Sequence, residues 1–169
     1  MAGVTVIISN AGTWCPSIVG TSCCDMTACR TMDNWTAKAF GASAVLLICA
    51  ILNDEELKSY RILAEELGMD ALVEAHDEGE VRRALTCGAK IIGVNNRNLH
   101  TFEVDTGNSI RLRKMAPEEV VFVSESGIRT PEDIKVLADN QVDAVLIGET
   151  LMRSSDKKEM LAYLNRDLG

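Results

Sequence analysis

From residue 44 onward, apolar runs of strand length alternate with segments of helical period. AVLLICAIL (44–52) is continuously apolar and predicts a strand. NDEELKSYRILAEELG (53–68) places Leu57, Tyr60, Leu63, Ala64 and Leu67 on one helical face, with Asn53 or Asp54 as cap and Gly68 as stop. The rhythm then repeats. Strands are predicted over 71–76, 91–96, 120–126 and 144–149, and helices over 77–89, 106–116, 130–141 and 156–168. ETLMR adds one extra turn, and WTAKAFGA (35–42) reads as the tail of an earlier helix.

Strands that alternate with helices predict a parallel α/β sheet. Nearly every strand position is apolar, as expected when both faces are covered, whereas the helices are amphipathic. Polar residues gather at the C-terminal ends of strands: Glu74 and His76, Asn95 and Asn96, Ser124 to Ser126, Gly148 and Glu149. Doubly wound sheets and (β/α)8 barrels both carry their sites at that edge. No G-x-G-x-x-G follows the first strand, so the dinucleotide fingerprint is absent. Residues 1–32 lack this rhythm: MAGVTVIIS has strand character, but the rest has no helical period and few charges. A surface segment, a swapped arm and a disordered tail all stay open for this leader.

Composition narrows the partners. The 169 residues are 47 % apolar, enough for one globular domain. A net charge of −8 without a Lys/Arg cluster argues against nucleic acid and against an anionic membrane surface. No apolar run approaches a membrane span, and the N-terminus lacks the basic region of a signal peptide. The expected location is cytoplasmic. Four of the six cysteines (Cys15, Cys23, Cys24, Cys29) follow C-x7-C-C-x4-C, which is not a zinc-ligand spacing. They read as free thiols, and Cys49 and Cys87 as small buried hydrophobes. His76 and His100 read as loop residues, and no metal or cofactor is expected.

GASAVLLICAIL, ALVEAHDEGEVRRAL, GAKIIGVNNRNLHTFEVD, VFVSESGIRTPEDI and DAVLIGETLMR occur in this order. In order and spacing they resemble indole-3-glycerol phosphate synthase, over roughly residues 34 to 165. The resemblance implies a partial (β/α)8 TIM barrel: five parallel strands matching the fourth to eighth of the barrel, with outer helices. It covers residues 33–169, behind a cysteine-containing leader of residues 1–32. The family belongs to tryptophan biosynthesis. It closes an indole ring from a carboxyphenylamino-deoxyribulose phosphate, releasing carbon dioxide and water. The family's first and third strands carry lysines central to its acid catalysis. Residues 1–32 contain no lysine and match neither motif, and the chain is short for a barrel of about 250 residues. It reads as a truncated member, with an unrelated or frame-altered leader joined inside the third helix.

Ser126 and Gly127 form a Ser-Gly step at a strand end, and Gly148 and Glu149 repeat it one strand later. Such steps either present backbone N–H groups to a phosphate, aided by a following helix N-terminus, or merely close tight turns. The resemblance makes them a phosphate cradle, with Glu149 contributing its backbone amide. Thr130 is a helix cap with Pro131 at N1 and Asp133 at N3. Glu74 ends an apolar run, where it is either a partly desolvated carboxylate with a raised pKa or simply solvent-exposed. By resemblance Glu74 takes a proton late in the reaction, and Asn95 orients the substrate. Arg97 pairs with a substrate carboxylate or with a nearby Glu. Glu125 contacts substrate or bonds inside the barrel. All seven lysines fall on helices or on the N-terminal side of strands, so no substitute acid is visible.

Five strands of eight leave two raw edges and an uncovered inner face of Val, Leu and Ile. Contiguous exposed apolar surface of that kind predicts self-association as a homo-oligomer through the open side. The leader is the other candidate cover. Three functions follow. One is a synthase homologue inactive alone, with a residual site for a phosphate-bearing small molecule. Another is a lyase active when complemented by a second chain, and the last is a non-catalytic self-assembling protein.

Overall fold

A computed structural model describes residues 34–39, 41–98 and 101–166, with the backbone of three short strands before them. Those three are β1 (Thr5–Asn10), β2 (Thr13–Cys15) and β3 (Cys24–Asp25). Then follow α1 (Asn34–Ala39), β4 (Ala44–Ile48), α2 (Asp54–Glu66), β5 (Asp70–Ala75), α3 (Glu78–Thr86) and β6 (Ile91–Asn95). The rest is α4 (Gly107–Arg113), β7 (Val121–Glu125), α5 (Pro131–Asp139), β8 (Ala144–Ile147), α6 (Glu149–Arg153) and α7 (Lys157–Leu164).

The strands form one open sheet in the order β3-β2-β1-β8-β7-β6-β5-β4. The five predicted strands, β4 to β8, run parallel to their neighbours. MAGVTVIIS also yields a strand: β1 lies parallel to β8, with Thr5 opposite Ala144. The antiparallel strands β2 and β3 extend the sheet beyond it, where the sequence pattern predicts no element.

Period-2 alternation sorts each strand into two layers. Val45, Leu47, Val73, Ile92, Val94, Phe122, Val145 and Ile147 pack outward against Leu57, Ala64, Val81, Leu112, Ile134 and Leu137 of the helices. Ala44, Leu72, Val123 and Ala144 form a second cluster on the other face, flanked by Leu46, Ile91 and Leu146. Leu72 and Val123 are fully buried, so this inner face is less open than five strands alone imply. Sheet twist and coiling bring neighbouring inward side chains together. Leu46, Ile91 and Leu146 stay partly exposed.

The apolar run 44–52 is strand only as far as Ile48. The amide of Leu52 turns back to the Ile48 carbonyl at 3.2 Å. Arg83 holds the turn, donating to the Cys49 carbonyl (2.8 Å), the Leu52 carbonyl (2.5 Å) and Asp54 (2.6 Å). Cys49 and Leu52 are buried, which explains the apolar composition of a segment that is not strand. Helix starts follow their sequence signals. Asn53 and Glu56 make a capping box on α2, and Thr130 and Asp133 make one on α5 with Pro131 in its first turn. Helices α4 and α7 are shorter than the predicted 106–116 and 156–168.

Candidate functional site

At the end of β7 the backbone turns through two left-handed residues, Ser126 (φ 66°) and Gly127 (φ 84°). Serine rarely adopts this conformation, so something must hold it. Asn96 does so, donating from Nδ2 to the Ser126 carbonyl at 3.1 Å. The same amide donates to Ser124 Oγ (2.9 Å), which donates to Ser109 Oγ (2.9 Å). Ser109 donates back to Asn96 Oδ1 from both Oγ (2.7 Å) and its backbone N–H (3.2 Å). Asn96, Ser109 and Ser124 are buried, and this closed network satisfies them while tying α4 to the ends of β6 and β7. Gly127 is required on two grounds: its positive φ, and a Cβ there would overlap Val104 Cγ1.

A cavity of about 160 Å³ lies between the ends of β7 and β8, with Ser126, Gly127, Arg129, Gly148, Glu149 and Arg97 in its lining. The structure therefore brings both small-residue steps to one place. Helix α6, which begins at Glu149, has only five residues. It offers individual N–H groups rather than the macrodipole expected of a longer helix. The Glu149 carboxylate, assigned no role from sequence, bonds Arg97 Nη2 at 2.6 Å and Arg153 Nη2 at 2.9 Å. The Arg97 hydrogen bond, followed by the charge of Arg153, holds its pKa below the usual carboxylate value. Of the two partners expected for Arg97, the structure supplies the nearby Glu.

A larger cavity of about 860 Å³ lies over the ends of β5 and β6, and Arg97 belongs to both linings. Its wall is polar and acidic, with His76, Glu80, Asn95, Glu103 and Asp105. Glu74 sits beneath it, 6 % exposed, which decides against the solvent-exposed reading. Asn95 Nδ2 donates to Glu74 Oε1 at 3.3 Å, and Asn95 Oδ1 accepts from the Arg97 N–H at 3.0 Å. Both ends of the Asn95 amide are thus fixed. Burial raises the Glu74 pKa, against the lowering effects of the Asn95 hydrogen bond and of His76.

Glu125 lies one strand further, also buried, and its Oε1 has no hydrogen-bond partner. Burial, reinforced by the charge of Glu74, pushes its pKa well above the usual carboxylate value. It lines neither cavity, and its Oε1 is buried inside the sheet. Gly93 makes the room, since a Cβ there would overlap Glu125 Oε1 and lie 3.1 Å from Leu72 Cδ1. A glycine inside the strand IIGVN was the sequence signal for this close approach. Ser109 and Arg129 are site-building residues that the strand-end reading did not single out, and Asn96, read only as a polar strand end, proves to be the centre of the network. Burial of polar side chains is invisible until the helix packs.

Among the described residues, no group of His, Cys, Asp and Glu is arranged to hold a metal ion. His100 lies outside them. The lysines stand where expected: Lys38, Lys58, Lys135, Lys157 and Lys158 on helices, Lys114 capping the end of α4, and Lys90 just before β6.

Residues 32–164 match the indole-3-glycerol phosphate synthase family. The chain is 55 % identical over 130 residues to the indole-3-glycerol phosphate synthase of Lachnoclostridium phytofermentans, covering 77 % of this chain and 48 % of that protein. To the protein of the same name from Ruminiclostridium cellulolyticum it is 57 % identical over 130 residues, covering 77 % and 50 %. The chain thus spans about half the length of the curated relatives it matches. Among solved structures, a 3-hexulose-6-phosphate synthase superposes with a TM-score of 0.66 at 14 % identity, covering 83 % of this chain and 72 % of that one. A thiamine phosphate pyrophosphorylase from Pyrococcus furiosus superposes with a TM-score of 0.64 at 15 % identity, covering 80 % and 63 %. At such identities the likeness concerns the fold alone.

Proposed function

Because the chain belongs to the indole-3-glycerol phosphate synthase family, we propose that it carries the phosphate-holding and proton-accepting half of that family's site. The observation that carries this reading is the convergence of Ser126–Gly127 and Gly148–Glu149 on one 160 Å³ cavity, with Arg97 and Arg129 in its lining. A phosphate group fits the donor chemistry there: backbone N–H groups, one hydroxyl and guanidinium forks. Net negative charge elsewhere on the chain makes such local donors the only source of anion affinity.

In this reading the ligand lies along the strand ends, phosphate at β7–β8 and the reacting part over β5–β6. Arg97 stands between, exchanging Glu149 for a substrate carboxylate. Glu74, whose proton affinity burial raises, accepts a proton as the carboxylate, and Asn95 orients the group that gives it up. The chain does not complete ring closure by itself, since none of its seven lysines lies at a strand's C-terminal end. Inorganic phosphate titrated by NMR tests the cradle. Ser126→Asp places a like charge in the cavity and weakens binding at least tenfold, whereas unchanged binding overturns the assignment.

A second reading is favoured by the half-length match: an active lyase formed with a chain that supplies the other strands. A ring-closure assay on the protein alone, and mixed with a polypeptide carrying the first three βα units of a relative, separates the two. Turnover alone overturns the main reading, and turnover only in the mixture supports the second.

Self-association belongs to the same proposal. Strand β4 ends the sheet, and Leu46, Ile91 and Leu146 leave apolar surface on the inner face for a second copy to cover. Light scattering coupled to size exclusion decides it, because a clean monomer at micromolar concentration excludes such a dimer. The free buried thiols of Cys49 and Cys87 suit the reducing cytoplasm we assign. Among the described residues, no helix is long and apolar enough to cross a membrane.

A further inference from the structure

Glu74 is not part of the large cavity's lining; His76 and Asn95 are. A proton that reaches Glu74 needs a way out. The His76 ring spans two carboxylates, with Nε2 at 3.3 Å from Glu74 Oε1 and Nδ1 at 3.1 Å from Glu80 Oε2. Its backbone is fixed on both sides: the N–H donates to Glu80 Oε2 (2.7 Å) and the carbonyl accepts from Asn108 Nδ2 (3.0 Å). Asp77 caps α3 and bonds the Glu80 amide at 2.9 Å, so the helix start positions Glu80 under the ring.

With its Nδ1–H given to Glu80, a neutral His76 presents a lone pair at Nε2. Nε2 is buried and lacks a hydrogen-bond partner, although Glu74 is close enough for an ion pair. An ionised Glu74 has no hydrogen to offer; a protonated one does. Burial raises the Glu74 pKa, which favours the protonated form that completes this contact.

We propose that His76 is a positioning residue that conducts protons between the buried Glu74 carboxyl and Glu80 on the cavity wall. Glu74 gives its proton to Nε2 as Nδ1 gives its own to Glu80 Oε2. The ring stays neutral with its hydrogen moved to Nε2, Glu74 becomes a carboxylate, and Glu80 becomes an acid that releases its proton to cavity water. Around this pair stand Asn95 from β6, Glu125 from β7, Asn108 from α4, Arg83 from α3 and the Cys49 thiol after β4. The proposal rests on reading Glu74 as the proton-accepting carboxylate.

NMR of the full chain tests it, following glutamate carboxyl carbons and imidazole nitrogens through a pH titration. The His76 Nε2 resonance is expected to move at the same midpoint as the Glu74 carboxyl. In His76→Asn the ring nitrogen that accepts from protonated Glu74 is lost, so the Glu74 midpoint falls. An Nε2 resonance that stays flat across the Glu74 midpoint overturns the conduit, as does an unchanged midpoint in the variant. Should the variant fail to fold, the native-chain measurement alone decides. The phosphate titration with Ser126→Asp is independent, so a failed cradle with coupled titrations removes that reading and leaves the conduit.

Discussion

The two halves of the cleft handle charge by different means. At the ends of β7 and β8 the surroundings are backbone turns, small residues and guanidinium groups, with the Glu149 carboxylate paired to Arg97. At the ends of β5 and β6 stand Glu74, His76 and Glu80 within hydrogen-bond reach of one another, with Glu125 beneath. The first half is rigid because its backbone is fixed by the buried Asn96–Ser109–Ser124 network. The second is built around Glu74 and Glu125, whose pKa values burial raises. Arg97 belongs to the lining of both cavities and joins the two halves.

The strongest way to break the contrast is through its two glycines. Gly127→Ala adds positive-φ strain to an overlap with Val104, and costs about 3 kcal/mol together with loss of phosphate binding. Gly93→Ala meets only the end of a carboxylate and Leu72, costs about 1 to 2 kcal/mol, and leaves phosphate binding intact. Urea denaturation and phosphate titration of both variants read the difference. Equal costs, or equal binding losses, would erase the distinction.

A middle-sized effect comes from Glu125. Its folded pKa lies above its unfolded value, so the native state holds an extra proton. Its stabilising share is therefore complete below about pH 4.5 and is lost as pH rises toward the raised folded value. Glu125→Gln removes that loss, and its advantage over the native chain grows as pH rises above 4.5. Urea midpoints across this range check it, and parallel pH profiles would refute it. The smallest effect lies at the cradle's rim. Glu149→Gln frees Arg97 from an exposed ion pair and tightens phosphate binding roughly two- to fivefold, with stability unchanged.

Much of the fold is legible in the sequence. The capping boxes at Asn53 and Thr130, the helical faces and the polar strand ends follow from short-range chemistry, so the elements read from them stand in the fold. Glu74 and Asn95 each read as strand-end residues, and their hydrogen bond comes with the fold. What local chemistry does not encode is where an apolar segment leaves the sheet. AVLLICAIL reads as one strand, and only Arg83, arriving from α3, turns its last residues away.

By itself the sequence determined the five parallel strands β4 to β8, their outer helices, the family and the edge at which polar residues collect. These depend on periodicity, caps and motif order, all local along the chain. Tertiary structure alone decided that Glu149 pairs with Arg97, that Asn96 and Ser109 lock the Ser126 turn, that Glu125 Oε1 is buried without a hydrogen-bond partner, and that His76 bridges two carboxylates. Those contacts join residues from 2 to 52 positions apart. Their energies come from desolvation and packing, which exist only once the strands and helices have come together.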